Sequence, residues 1–261
     1  SGVGGLTVAR EIMRQIPNER IVYFGDTARV PYGSKSKDNI IKFSRQIIRF
    51  LQTENVKAIV IACNTASALA LDEMQQEFVL PILGVVKPGA KVAVETTANK
   101  RIGLIGTEAN IRSGVYTRYI KSLDDEAKVF EKACPLFVPL VEEGWLHDDI
   151  TLQVASRYLE ELKEKDIDTL IMGCTHYPLI RSTIRKVMGD KVNLVNPAYE
   201  TAIELKNLLE RDNLANKCDV DSPSSMYRFY VSDAEEKFKL FANSILPFDI
   251  TMTKQINIEN Y

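Results

Sequence analysis

Leu170-Ile171-Met172-Gly173-Cys174-Thr175-His176, read beside Ile59-Val60-Ile61-Ala62-Cys63-Asn64-Thr65, decides the fold. Each is a short apolar run that passes through a small residue into a cysteine and then a polar turn. That is the pattern of a buried strand ending in a loop that can hold a ligand. The cysteines lie 111 residues apart (174 minus 63), so what repeats is a whole α/β half rather than a short solenoid unit. A fainter pairing links Ser1–Leu6 with Ile105-Gly106-Thr107, each a turn followed by a helix.

Outward from these units, short β-branched or apolar runs alternate with longer amphipathic stretches. Arg20–Gly25, Ala58–Ala62, Ile82–Val86, Arg101–Gly106, Leu136–Pro139, Thr169–Gly173, Val192–Asn196 and Tyr227–Ser232 read as strands. Helical patterns between them include Thr7–Gln15, Asp38–Glu54, Gly114–Lys121, Asp149–Lys165, Tyr199–Asn213 and Ala234–Ser244. The rhythm predicts parallel sheets covered by helices, arranged as two related domains facing one cleft. The hand-over is expected near Val85–Ala90 and the return near Pro197–Ala202. This gives a first domain of residues 1–88 plus 200–261 and a second of 89–199.

The 261 residues are 45% hydrophobic and carry a formal charge of -2, which suits a globular protein with real cores and excludes disordered and fibrous classes. Signs are interspersed, so there is no basic stripe for nucleic acid. No apolar run reaches membrane-spanning length and no secretory leader is evident, so the expected location is cytoplasmic, with no membrane partner. Four sparse cysteines (Cys63, Cys134, Cys174, Cys218) suit reduced thiols better than a disulfide framework. Only His147 and His176 are available to any His-dependent hydrolase or zinc site.

Inverting an α-carbon requires one group to remove a proton from one face and another to deliver one to the opposite face. Two matched thiols meet that demand if their surroundings favour the anion, since an ordinary cysteine, with a pKa of about 8.5, is only a few per cent thiolate at neutral pH. Each cysteine precedes a helix, whose N-terminal N–H groups and dipole supply that help. The same N–H groups, with the Thr65 and Thr175 hydroxyls and the Asn64 amide, would hold a substrate carboxylate. A lone strand-end cysteine is more often a small buried hydrophobe, and Cys134 and Cys218 are read that way. Ser1-Gly2-Val3-Gly4-Gly5 lacks the glycine that a dinucleotide fingerprint would want at Thr7, and reads instead as backbone brought close to a small ligand. Pro31-Tyr32-Gly33-Ser34 sits in a loop long enough to cover a cleft. Glu142 and Glu143 read as a solvated pair at a helix start, or, if one faces the cleft, as a group tuning a thiol or His176. His176 is a packing residue or a proton partner of Cys174.

Taken together, Ser1-Gly2-Val3-Gly4-Gly5, Gly25-Asp26 with Pro31-Tyr32-Gly33, Ala62-Cys63-Asn64-Thr65-Ala66-Ser67, Pro139-Leu140-Val141-Glu142-Glu143-Gly144 and Gly173-Cys174-Thr175-His176-Tyr177-Pro178 resemble the glutamate racemases over nearly the whole chain. The broader superfamily, with aspartate racemases and related decarboxylases, shares the cysteine turns; the Pro-Tyr-Gly loop and the Cys-Thr-His-Tyr-Pro form point to the glutamate branch. The resemblance implies two flavodoxin-like domains with the active site between them, usually in homodimers. It implies a metal-free and PLP-independent interconversion of L- and D-glutamate that supplies D-glutamate to peptidoglycan. Cys63 would act on D-glutamate and Cys174 on L-glutamate, the latter assisted by Glu142 and His176. Ser1, Tyr32, Gly33, Asn64, Thr65, Thr175 and His176 would hold the substrate. The family places an Asp immediately before the Ser-Gly-x-Gly-Gly loop as assistant to the first cysteine. The chain as given begins at Ser1, so the first sheet is expected to be one strand short. Lys87 and Asn110 stand where the family more often has an acid or apolar residue and a Thr, with effects expected at the periphery or on regulation.

Four other readings remain open on sequence alone: a racemase for aspartate or another acidic amino acid, a non-catalytic binding module, a cysteine hydrolase using Cys63 and His176, and a zinc site drawn from Cys63, Cys174 and His176.

Overall fold

The computed structural model describes residues 2–217, 226–250 and 252–261. In chain order the elements are α1 (Leu6–Gln15), β1 (Ile21–Gly25), α2 (Lys37–Thr53), β2 (Ile59–Ile61), α3 (Asn64–Glu77), β3 (Ile82–Gly84), α4 (Val86–Thr96), β4 (Arg101–Gly106), α5 (Glu108–Ser113) and α6 (Val115–Leu123). They continue with β5 (Lys128–Ala133), α7 (Phe137–Glu142), α8 (Asp149–Lys163), β6 (Thr169–Gly173), α9 (Arg181–Met188), β7 (Asn193–Val195), α10 (Pro197–Arg211), β8 (Tyr227–Val231), α11 (Glu235–Ile245) and β9 (Lys254–Gln255).

Every strand pairing is parallel, as expected of an α/β protein whose strands return through helices. One sheet has the order β5-β4-β6-β7. Its strand β6, Thr-Leu-Ile-Met-Gly, is buried along its whole length, which is why that run is continuously apolar rather than alternating. On one side it meets the stripe Ala155, Leu159 and Leu162 of α8, spaced at helical intervals and launched by Asp148, whose side chain accepts from the Ile150 N–H. On the other, Ile171 packs with Val86, Ala90 and Ala93 of α4.

The other half is divided. β1-β8-β9 form one group and β2-β3 another, and among the described residues no strand joins β1 to β2. Between them lies a cavity of about 880 Å³ lined by Val22 and Phe24 of β1, Val60 of β2, Val8 and Ile12 of α1, and Ile48 of α2.

α4 and α10 carry the chain between the halves and meet where a Cβ on Gly89 would fall 2.9 Å from Pro197 Cγ. The expected strand at Leu136–Pro139 is instead the short helix α7, and the strand lies upstream at Lys128–Ala133. Lys-Val-Phe-Glu-Lys-Ala is charged because β5 is an edge strand with half-buried faces. Pro139 sits in the first turn of α7, where a missing N–H costs nothing, and Phe137 is turned edge-on to Tyr158 and Tyr177 in the core.

Gly173 illustrates the tightness of the intact sheet. A Cβ there would lie 2.7 Å from the backbone oxygen of Ile105 on the neighbouring strand, which cannot retreat without opening the ladder. Gly173→Ala is expected to cost about 1–3 kcal/mol, or about 2–4 °C of Tm per kcal/mol for a chain of this size, measured by thermal circular dichroism.

Candidate functional site

Both cysteines follow a parallel strand, but only Cys63 opens an α-helix as expected; Cys174 is followed by a 3-10 turn, Tyr177–Ile180, and α9 begins only at Arg181. Cys63 follows β2 and is the N-cap of α3; its sulfur accepts from the Ala66 N–H at 3.5 Å. The cap therefore places the thiol at the positive end of a 14-residue helix. Asn64 and Thr65 occupy the first turn and are buried. Asn64 Oδ1 accepts from the Tyr116 hydroxyl at 2.6 Å, which fixes the amide so that its NH2 faces away from Tyr116. Thr65 Oγ1 lies 3.0 Å from Thr107 Oγ1, and Thr107 caps α5 after β4. Thus α3 of one half is tied to the strand ends of the other.

Cys174 follows β6 and is 6% exposed. Its Sγ lies 3.6 Å from His176 Nδ1, and His176 Nε2 lies 3.0 Å from Glu142 Oε1, so thiol, imidazole and carboxylate form one line. Burial works against the imidazolium, but the hydrogen bonds to Cys174 and Glu142 outweigh it and push the His176 pKa up to about 9. The same bond to His176 holds the Glu142 carboxyl below its usual range despite partial burial. Glu142 closes α7 rather than opening a helix as expected. An acid at a helix C-terminus faces the wrong end of the dipole, so His176 is the partner that retains it there. Glu143 points to solvent.

The glycine loop before α1 completes the enclosure. A Cβ on Gly4 would come within 2.5 Å of both Thr175 Oγ1 and His176 Cε1, so only glycine permits this approach. The Thr7 hydroxyl donates to the Thr175 carbonyl at 2.9 Å. Across the cleft, a Cβ on Gly33 would lie 2.9 Å from Thr107 Cβ. Tyr32 is buried, and its hydroxyl donates to Asp26.

The structure therefore brings Cys174, Thr175, His176 and Glu142 together with Gly4, and Cys63, Asn64 and Thr65 together with Thr107 and the Tyr32–Gly33 turn. Ser1 and Cys218 lie outside the described residues. Cys134 is fully buried, and burial raises its thiol pKa, in keeping with a packing role. Asn110, expected at the periphery, is buried beside the site instead, with Nδ2 donating to the Gly173 carbonyl at 2.8 Å. Lys87 is exposed. Thr107 and Tyr116 were not anticipated as site residues. Thr107 follows Ile105-Gly106 as Cys174 follows Met172-Gly173, a signal available in the sequence. Tyr116 lies inside a helical pattern and carries none. Among the described residues no group of three His, Cys, Asp or Glu side chains could hold a metal ion, and no helix is long and apolar enough to cross a membrane.

A family model described as Asp/Glu/Hydantoin racemase matches residues 5–203. A glutamate racemase from Geobacter metallireducens is 43% identical over 259 residues, covering 99% of this chain and 95% of the relative. The crystal structure of a glutamate racemase isoform from Bacillus anthracis superposes with a TM-score of 0.94 at 38% identity, covering 98% of this chain and 94% of that one. The glutamate racemase of Francisella tularensis, solved in complex with D-glutamate, gives a TM-score of 0.92 at 37% identity and covers 100% of this chain and 96% of its own. With its parallel sheets, its paired strand-end cysteines and this likeness along its whole length, the chain belongs to the Asp/Glu/hydantoin racemase family of amino-acid racemases, among the glutamate racemases.

Proposed function

We propose that the chain interconverts L- and D-glutamate by moving a proton at the α-carbon between Cys63 and Cys174, without a cofactor. The observation that carries this reading is the pair of cysteines at corresponding strand ends, one of them in line with His176 and Glu142. With L-glutamate, the Cys174 thiolate takes the α-proton: the Cα–H bond breaks, an S–H bond forms, and the electron pair moves into the α-carboxylate. The Cys63 thiol then gives its proton to the opposite face. D-glutamate leaves, with Cys63 now the thiolate and Cys174 the thiol. D-glutamate is converted by the same steps in reverse, and exchange with water interconverts the two protonation forms of the enzyme.

His176 takes up the Cys174 proton at Nδ1 when the thiolate forms, and Glu142 balances the imidazolium. The first turn of α3 and the Thr65, Thr175 and Asn64 side chains would bind the carboxylates, which stabilises charge as the α-proton departs. Ser1, the Tyr32–Gly33 turn and His176 complete the binding set. The D-glutamate so formed would serve peptidoglycan synthesis. Three unpaired cysteines, Cys63, Cys134 and Cys174, support a cytoplasmic setting. The crossings at α4 and α10 support a division into residues 1–88 plus 200–261 and 89–199. A homodimer, the assembly usual in the family, would give a light-scattering mass twice the 29.4 kDa of the chain.

In deuterated water, L-glutamate and D-glutamate should each lose the α-proton NMR signal while optical rotation falls to zero, with aspartate turning over more slowly. No exchange from either enantiomer would favour a binding module. Cys63→Ser and Cys174→Ser should each lower racemisation by about 10²–10⁴-fold while far-ultraviolet circular dichroism stays unchanged; near-normal turnover in either removes the two-base mechanism. With only two histidines, His176 is assignable by NMR and should titrate near 9, and Glu142→Gln should move it downward. Because the folded value exceeds the unfolded one of about 6.5, the stability from this pair is complete below that unfolded value and lost as pH rises through about 9. Tm in Glu142→Gln should therefore fall less across that window than in the parent.

A further inference from the structure

Asp26 is fully buried and nevertheless gathers donors from three residues. Arg29 Nε reaches its two oxygens at 3.0 and 2.8 Å, the Ser232 hydroxyl reaches Oδ1 at 2.9 Å, and the Tyr32 hydroxyl reaches Oδ2. Arg29 carries the chain of contacts outward. Its Nη1 donates to Gln46 Oε1 at 2.6 Å and to Glu259 Oε1 at 3.0 Å, and its guanidinium carbon lies 4.1 Å from the centre of the Phe43 ring. Gln46 Nε2 donates in turn to Glu259 Oε2 at 3.2 Å.

Glu259 belongs to the final 3-10 turn, Ile258–Asn260. That turn is anchored by the Ile256 N–H on the Val231 carbonyl at 2.8 Å, by buried Ile258 and by Tyr261 edge-on to Phe50. An unbroken polar path therefore leads from the end of the chain to the loop that presses Gly33 against Thr107. A buried ion pair is a poor source of net stability, because desolvation consumes most of its attraction, whereas its directional bonds define one geometry. The planar guanidinium is shaped for such directional bonding, since it holds the Asp26 carboxylate through Nε and holds Gln46 and Glu259 through Nη1.

We propose that Arg29 and Glu259 are positioning residues for substrate binding, which through Asp26 lock the Tyr32 hydroxyl and hold the Tyr32–Gly33 turn in register against Thr107. This rests on the reading above that the turn binds substrate. The end of the chain thereby sets the affinity of a site to which it contributes no contact of its own.

The test is kcat and KM for both enantiomers with the full chain, together with Tm. Glu259→Ala removes an exposed partner and should raise KM by about two- to fivefold, the weight of a surface ion pair, with kcat and Tm nearly unchanged. Arg29→Met, which strands the Asp26 carboxylate, should raise KM by about tenfold or more. In a Tyr32→Phe background either substitution should add less than about twofold, because residues acting through one contact are not additive. If Arg29→Met does not fold, the cycle of Glu259→Ala with Tyr32→Phe decides by the same criterion. Gly33→Ala separates the two readings. A raised KM there, with Glu259→Ala indistinguishable from the parent, overturns the positioning role alone; an unchanged KM in Gly33→Ala removes the substrate-binding role of the turn and this proposal with it.

Discussion

The pairing of β4 with β6 places Gly106 directly beside Gly173, so that Thr107 and Cys174 leave the sheet next to each other. Neither position has room for a side chain: a Cβ on Gly173 would meet the backbone oxygen of Ile105 on the neighbouring strand, and one on Gly106 would meet the Asn110 side chain of α5. Everything on the cleft side inherits this register. Asn110 reaches across to the Gly173 carbonyl, Thr107 meets Thr65, and the Cys174 turn is positioned for Gly4 to pack on it. A one-residue slip would turn the polar ends of both strands into the core.

The two thiols occupy equivalent places in chain topology, each just after a parallel strand. Cys174 has an imidazole and a carboxylate behind it, so charge formed at the sulfur is balanced by a neighbour that can itself change protonation. Cys63 caps α3, and its sulfur accepts from the Ala66 N–H at the positive end of that helix.

Much of this was legible from the residues. The runs read as strands at Arg101–Gly106 and Thr169–Gly173 coincide with β4 and β6, and that at Ala58–Ala62 exceeds β2 by one residue at each end, because buried parallel strands read as apolar runs closed by small residues. Cys63 and Cys174 stood out because their surroundings repeat. β5 was misplaced because an edge strand carries charge and because Leu-Phe-Val-Pro, four apolar residues in a row, is equally at home in one turn of a core helix. The partners Thr107, Tyr116 and Asn110 depend on contacts between distant segments, which no local pattern encodes; so does the commitment of the Tyr32 hydroxyl to Asp26.

The four-stranded sheet is the most cohesive part of the structure described. β4 and β6 have partners on both sides and lie within an apolar cluster that also takes in α7, α8 and α9. Amide protons of β4 and β6 are therefore released only when the whole fold comes apart. Cys174, Thr107 and Asn110 are carried by this sheet, so the geometry around the Gly173 carbonyl persists through local fluctuations elsewhere in the molecule.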